Sequence, residues 1–186
     1  DDITLENIVV HNSGGWGIYA SSSEDLEILN SVVSYSDGGG IYSGTNTEIK
    51  DSSIIDNNNL GIYIAGANTN VKNSSVSGTT KDVCDNCSSY GYGIYIGVNN
   101  ALLYNNTISN NSDSGIHAND ASYGRYVNNR VVDNDNHGMK SIDSDYQKII
   151  DNTLLRNTNS GLYLDRSDYC KVEGNTIENN DANGIT

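Results

Sequence analysis

Proline and phenylalanine are missing altogether from these 186 residues, and methionine and tryptophan occur once each. Leucine is scarce too. A core must therefore come from isoleucine, valine and the 13 tyrosines, residues that suit strands. Asparagine, serine and 19 glycines supply tight bends. No stretch carries a sustained helical stripe, and none approaches the apolar length of a bilayer span, so membrane insertion is not expected. Positive charge is also short: 10 Lys and Arg stand against 24 Asp and Glu, a formal net charge of −14 at pH 7. Such a surface repels nucleic acid, which is discounted as a partner, and anionic membranes. A polyanionic sugar would be repelled as well unless a local basic patch or a cation intervened.

What is present is a repeat. A glycine followed by an aliphatic residue recurs at Gly17-Ile18, Gly40-Ile41, Gly61-Ile62, Gly93-Ile94, Gly115-Ile116, Gly138-Met139, Gly161-Leu162 and Gly184-Ile185. The spacing is 21 to 23 residues except from Gly61 to Gly93, where it is 32. Seven residues before the glycine stands another aliphatic: Val10, Val33, Ile54, Ile108, Val131, Leu154 and Ile177, with Val76 displaced by the extra residues. Another apolar column runs Leu5, Ile28, Ile49, Val71, Leu103, Tyr126, Ile149 and Val172. Within segments such as Gly161-Leu162-Tyr163-Leu164 the period is two, which argues strand. Three short strands per coil cannot bury their apolar points alone, but stacked coils make them a continuous core. The expected fold is all-β, a right-handed parallel β-helix of about eight coils, roughly 38 Å long at strand spacing.

Ser or Asn follows one apolar column at Ser31, Ser52, Ser74, Asn106, Asn129, Asn152 and Asn175. Asn follows another at Asn57, Asn111, Asn134, Asn157 and Asn180. Asparagine tolerates the left-handed backbone conformation, so these positions are expected to form one-residue corners. Their side chains are also expected to hydrogen-bond from coil to coil as ladders.

The chain reads as a single domain, residues 1–186, interrupted by a loop insertion over residues 77–92. It starts and stops inside coils, so a longer chain with flanking domains, or end-to-end association, is expected. The insertion holds Cys84 and Cys87, which fit a small disulfide suited to an oxidising compartment. Free thiols and half of a metal site are the alternatives. Zinc needs four ligands, and no second cysteine pair or histidine pair completes the set.

In a solenoid, residues one coil apart are neighbours, so function shows in columns. The position after Gly-Ile points outward and reads Tyr19, Tyr42, Tyr63, Tyr95, His117, Lys140, Tyr163. Outward tyrosines at strand spacing are expected to make a flat strip suited to sugar rings, with an apolar face and a rim of hydroxyls. Like-on-like stabilisation of the sheet is the alternative. Where His117 and Lys140 interrupt the tyrosines, Asp120, Asp143, Asp165 and Arg166 lie close by. β-Elimination in a polyuronate needs a base, for which Lys140 or His117 would serve, and a neutraliser for the uronate carboxylate, for which Arg166 would serve. Asp120 and Asp143 could hold calcium. Hydrolysis would instead pair two carboxylates, Asp143 with Asp165. A second ladder pairs Tyr123, Tyr146 and Tyr169 with Arg125, Lys148 and Lys171.

Segments such as Val172-Glu173-Gly174-Asn175-Thr176-Ile177-Glu178-Asn179-Asn180 resemble the β-helix repeats of NosD-like proteins and of carbohydrate-binding-and-sugar-hydrolysis domains, within the pectate lyase-like superfamily. The resemblance covers nearly the whole chain. It implies a secreted or cell-surface protein that binds a polysaccharide and could cleave it by lyase or hydrolase chemistry. The Asp-Pro-His-Asp signature of mannuronan C5-epimerases, which share the architecture, is absent because there is no proline. A non-catalytic structural solenoid of an adhesin or surface layer is the alternative expectation.

Overall fold

The computed structural model describes residues 2–81 and 90–186. Three parallel sheets of eight, eight and seven strands run side by side along one axis, and no α-helix occurs among the described residues. Seven coils are complete, and an eighth has its strands Lys171–Glu173 and Thr176–Glu178 but on the third sheet only a bridge from Ile185 to Leu162. That is close to the expected eight.

Each apolar column occupies one sheet. Leu5, Ile28, Ile49, Val71, Leu103, Tyr126, Ile149 and Val172 pair in strict succession on the first sheet. The second carries Val10, Val33, Ile54, Ile108, Val131, Leu154 and Ile177. Val76, which the glycine spacing displaces, is in register here between Ile54 and Ile108. The extra residues enter after that strand and before the third sheet, so they disturb the spacing to the glycine without disturbing the column. The third sheet buries Ile18, Ile41, Ile62, Ile94, Ile116, Met139 and Leu162. Together these side chains form one core along the axis, except Val172 in the last coil, which is exposed. Each fully buried aliphatic adds roughly 1.5–3 kcal/mol of transfer free energy.

The asparagine columns do one of the two jobs expected of them. Asn106, Asn129 and Asn152 are buried, and each is hydrogen-bonded to the next coil. The backbone N–H of Ser31 donates to Ser52, Ser52 to Ser74, Ser74 to Asn106, Asn106 to Asn129, Asn129 to Asn152 and Asn152 to Asn175. A second ladder runs through Asn111, Asn134, Asn157 and Asn180. The left-handed corners fall one residue earlier, at Asn30, Asp51, Asn73, Asn105, Asn128 and Asp151 on one edge. On the next edge they fall at Asn12, Tyr35, Asp56, Asn110, Asp133, Arg156 and Asn179. Corner and ladder are thus adjacent residues with separate duties.

The repeat glycine is fixed by close approach. A methyl on Gly115 would meet the Gly138 carbonyl at 3.0 Å and the Asn134 amide at 2.8 Å, and it would overlap Val131. The strand edge, the ladder and the core all converge there. Gly115→Ala is expected to destabilise the fold by about 1–3 kcal/mol, read as a lower denaturant midpoint at unchanged slope.

The insertion expected over residues 77–92 is narrower in the structure. Ser77 closes the strand Ser75–Ser77 and Tyr92 opens the strand Tyr92–Ile96. Thr80 still pairs with the preceding coil, through the Asn57 carbonyl. Cys84 and Cys87, and with them the expected disulfide, lie outside the described residues.

Candidate functional site

The outward column of the third sheet is in register through seven coils: Tyr19, Tyr42, Tyr63, Tyr95, His117, Lys140 and Tyr163. The flat strip expected of it does not form. Successive ring centroids stand 4.8, 4.8 and 5.2 Å apart, but the planes cross at 48°, 71° and 74°. Tyr19 is tilted on Tyr42, and from Tyr42 to Tyr95 the rings pack edge to face, the arrangement their quadrupoles favour. Tyr19, at 63% exposure, is the most open.

The column changes character where Tyr90 and Tyr92 fold over it. Leu60, Tyr63, Tyr90 and Tyr95 line a small aromatic hollow of about 120 Å³. Tyr92 stands edge-on to His117 at 4.6 Å and near-parallel to Tyr95 at 5.8 Å. His117 belongs to the outward column, yet only 6% of it is exposed. Neither of its ring nitrogens has a hydrogen-bond partner, and Nδ1 of His137 also lacks one. His137 lies against Tyr163 at 4.7 Å. Lys140 completes the group, its Nζ 6.0 Å from the centre of the Tyr163 ring, at the outer limit of a cation–π contact.

Electrostatics follow from this enclosure. Burial, then the neighbouring Lys140 ammonium, push the His117 imidazole down to about 4, with Asp113 opposing. Burial and Lys140 lower His137 as well. Burial raises the Tyr92 hydroxyl to about 12, helped by Asp113. Asp113 itself is pushed up by burial. Hydrogen bonds from Asn136, Lys81 and Ser114 outweigh that and keep it an anion below the usual carboxylate range. At neutral pH two neutral imidazoles, the neutral Tyr92 phenol and the Lys140 ammonium therefore stand on the strands beside this hollow, with the Asp113 carboxylate bonded to Lys81 at 3.1 Å. A neutral imidazole with both nitrogens unpaired can accept one hydrogen bond and donate one, but here both nitrogens are buried, with the Tyr92 ring edge-on to the imidazole.

The structure brings His117, Lys140 and Tyr163 together on adjacent strands but sets the acidic candidates apart. Arg166 grips both oxygens of Asp143 at 2.6 and 2.9 Å, and its third nitrogen holds Asp165 at 2.8 Å. These hydrogen bonds hold Asp143 below its usual range and Arg166 above its own. Asp120, Asp143 and Arg166 are all left-handed corner residues at the rim of the third sheet. Asp120 accepts a hydrogen bond from Asn119 at 3.2 Å. Among the described residues, no three His, Cys, Asp or Glu side chains converge as a metal cage would require. Sequence reasoning did not single out Asp113, Lys81 or Tyr90. Asp113 was nonetheless visible: it is the acidic member of a column continued by Asn136 and Asn159, which hydrogen-bond to one another in sequence.

The sequence matches the family described as the right-handed beta helix region over residues 1–89 and 82–186. This chain belongs to that family. Its three-sheet coil is thus a right-handed parallel β-helix. No curated protein matches it significantly. Among solved structures it is similar to the A-module of a mannuronan C-5 epimerase, AlgE4, from Azotobacter vinelandii. The TM-score is 0.81 at 17% identity, over 100% of this chain and 55% of that one. It is also similar to the periplasmic alginate epimerase AlgG, with TM-score 0.60 at 16% identity over 80% of this chain and 35% of that one. The Dettilon tailspike protein gives TM-score 0.61 at 15% identity over 94% and 46%. At these identities the likeness is one of fold, and the chain spans about half the length of the first.

Proposed function

We propose that this β-helix binds a polysaccharide along the outer face of its third sheet, as an extracellular or cell-surface protein. The observation that carries the proposal is the aromatic hollow over the tyrosine column, with the buried His117 on the neighbouring coil. A neutral imidazole with two unpaired nitrogens sits beneath Tyr92 and Tyr95, beside Lys140, at the end of the tyrosine ladder. Sugars present apolar faces ringed by hydroxyls, and this surface offers the matching chemistry. Solved relatives of the fold that are named as alginate epimerases support the substrate class. Epimerase chemistry is not carried over, since the Asp-Pro-His-Asp signature needs a proline the chain lacks.

If bound glycan is also cleaved, His117 or Lys140 takes the proton. Neither Asp143 nor Asp165 is free to serve as an acid–base pair, because Arg166 holds both. Nor is Arg166 free to neutralise a substrate carboxylate. A structural solenoid is the second reading, favoured by the edge-to-face tyrosine packing, which satisfies the rings without a ligand.

A glycan array with a parallel assay for unsaturated uronate products separates the two. Binding is expected, and Tyr63→Ala or Tyr95→Ala should weaken it about 2- to 10-fold, the worth of one aromatic contact. Any turnover should vanish in His117→Ala and Lys140→Ala variants that remain folded. Failure to bind any glycan would leave the structural solenoid.

A further inference from the structure

A second surface departs from the repeat in two ways at once. The corner leading into the first sheet takes a left-handed conformation in every coil. In the early coils it carries Asp25, Asn46, Asn68 and Asn100, residues that accept it readily. In the last three it carries Tyr123, Tyr146 and Tyr169, at φ of 61°, 57° and 56°. A bulky side chain is strained there, and strain retained three times running asks for a reason. Two residues on, the outward column changes sign in the same coils. It reads Thr4, Glu27, Glu48, Asn70 and Leu102, then Arg125, Lys148 and Lys171.

The three rings are not arranged like the third-sheet tyrosines. Their centroids are 5.1 and 5.0 Å apart and their planes diverge by only 3° and 9°. They are 53%, 45% and 76% exposed. The other bulky corner residues are each engaged with the coil before: Arg156 pairs with Asp133, Arg166 with Asp143, and Tyr35 packs edge-on against His11. The three tyrosine hydroxyls bond to nothing in the protein among the described residues. Lys171 is paired with Glu173, but Arg125 and Lys148 form no ion pair among the described residues. Asp145 and Asp168 flank the rings. The Asp168 N–H donates to the Asp145 carboxylate at 2.7 Å, which ties one of the two anions to the backbone.

We infer that this edge is a second carbohydrate site, selective for an anionic, uronate-bearing polysaccharide, built from the Tyr123/Tyr146/Tyr169 stack and the Arg125/Lys148/Lys171 ladder. The cations repeat at strand spacing over about 10 Å, enough for two or three charged sugar units. Salt screens the acidic remainder of the surface beyond about 10 Å, so the local ladder governs the encounter even on a chain of net charge −14. The acidic side of the same sheet, Asp2, Asp25, Glu27 and Glu48, confines the ligand to the later coils. Nucleic acid fits less well: rings already stacked on one another leave no gap for a base.

The test uses substitutions the fold already accepts. Tyr123→Asn, Tyr146→Asn and Tyr169→Asn install the corner residue of earlier coils and relieve the strained conformation. The combined variant should melt no lower than the parent, so lost binding is not lost folding. Its affinity for polygalacturonate oligosaccharides should fall by about tenfold or more, given several aromatic contacts each worth a factor of a few. Arg125→Gln with Lys148→Gln should weaken binding and flatten its salt dependence. Tyr63→Ala with Lys140→Ala, on the third sheet, should weaken only the binding assigned to that face and leave the chemical shifts that polygalacturonate moves in Tyr146 and Tyr169 unchanged. Undiminished polygalacturonate binding in the asparagine variant would overturn the inference. So would a lower melting temperature, which would make the stack a structural prop. Tighter binding of an oligothymidylate than of the polyuronate would overturn it too.

Discussion

Replacing Asn129 by alanine should cost about 3–5 kcal/mol, while the same change at its neighbour Asn128 should cost only about 1 kcal/mol. Asn129 is 1% exposed. Its carbonyl accepts from the backbone N–H and the side-chain amide of Asn106, both at 3.0 Å. Its own amide donates to the Leu103 carbonyl and to Asn152, again at 3.0 Å. Alanine strands buried polar groups on two neighbouring coils, each costing about 1–3 kcal/mol. Asn128, by contrast, is a left-handed corner at φ 56°, and its side chain reaches only the exposed Asn105. Glycine there should be neutral or slightly stabilising, whereas Asn129→Gly should be as damaging as alanine. Chemical denaturation of the four variants distinguishes a ladder residue from a corner residue. Equal losses at both positions would mean the two duties are not separate.

Acid should destabilise the fold between pH 6.5 and about 4, before most carboxylates titrate. His117 is held down to about 4 in the folded chain and returns to an ordinary imidazole when unfolded. Below 6.5 the unfolded state binds a proton that the folded state refuses, so stability falls as pH falls, and the loss is complete once pH drops below the folded value. The full shift corresponds to about 3 kcal/mol at most. His137 is lowered too and adds to the same slope. Asp113, Asp133 and Asp143 are all depressed, so the stability they contribute is lost only below the ordinary carboxylate range. Two acid phases should therefore be resolved. His117→Phe keeps an aromatic ring beneath Tyr92 and cannot titrate. It should shrink the upper phase to the share of His137. An unchanged upper phase in that variant would show that His117 is open to solvent.

Much of the fold was legible because a solenoid turns sequence period into spatial adjacency. The three apolar columns, the tyrosine column and the basic ladder all pair as their spacing implies. What the period could not show was anything set by contacts across columns. His117 occupies an outward position, so alternation alone makes it exposed. It is buried because Tyr92, on the preceding coil, leans across it. Arg166 looks available for a substrate carboxylate until the corner geometry places Asp143 one coil behind it. Asparagine richness was read as corners and ladders on the same residues. Only the backbone angles show that the left-handed residue comes one position earlier. The flat tyrosine platform failed for a similar reason, since register fixes where a ring starts and its neighbours fix how it tilts.

The central claim, that the third-sheet face is where sugar binds, is most directly tested by chemical-shift mapping with neutral and uronate oligosaccharides. Perturbations of Tyr42, Tyr63, Tyr95, Lys140 and Tyr163 with either ligand, the His117 ring signals moving at neutral pH, are the predicted result, whatever the uronate also moves at the Tyr123/Tyr146/Tyr169 edge. A chain that binds sugar with shifts confined to other faces, or that shows none with any glycan, would contradict it.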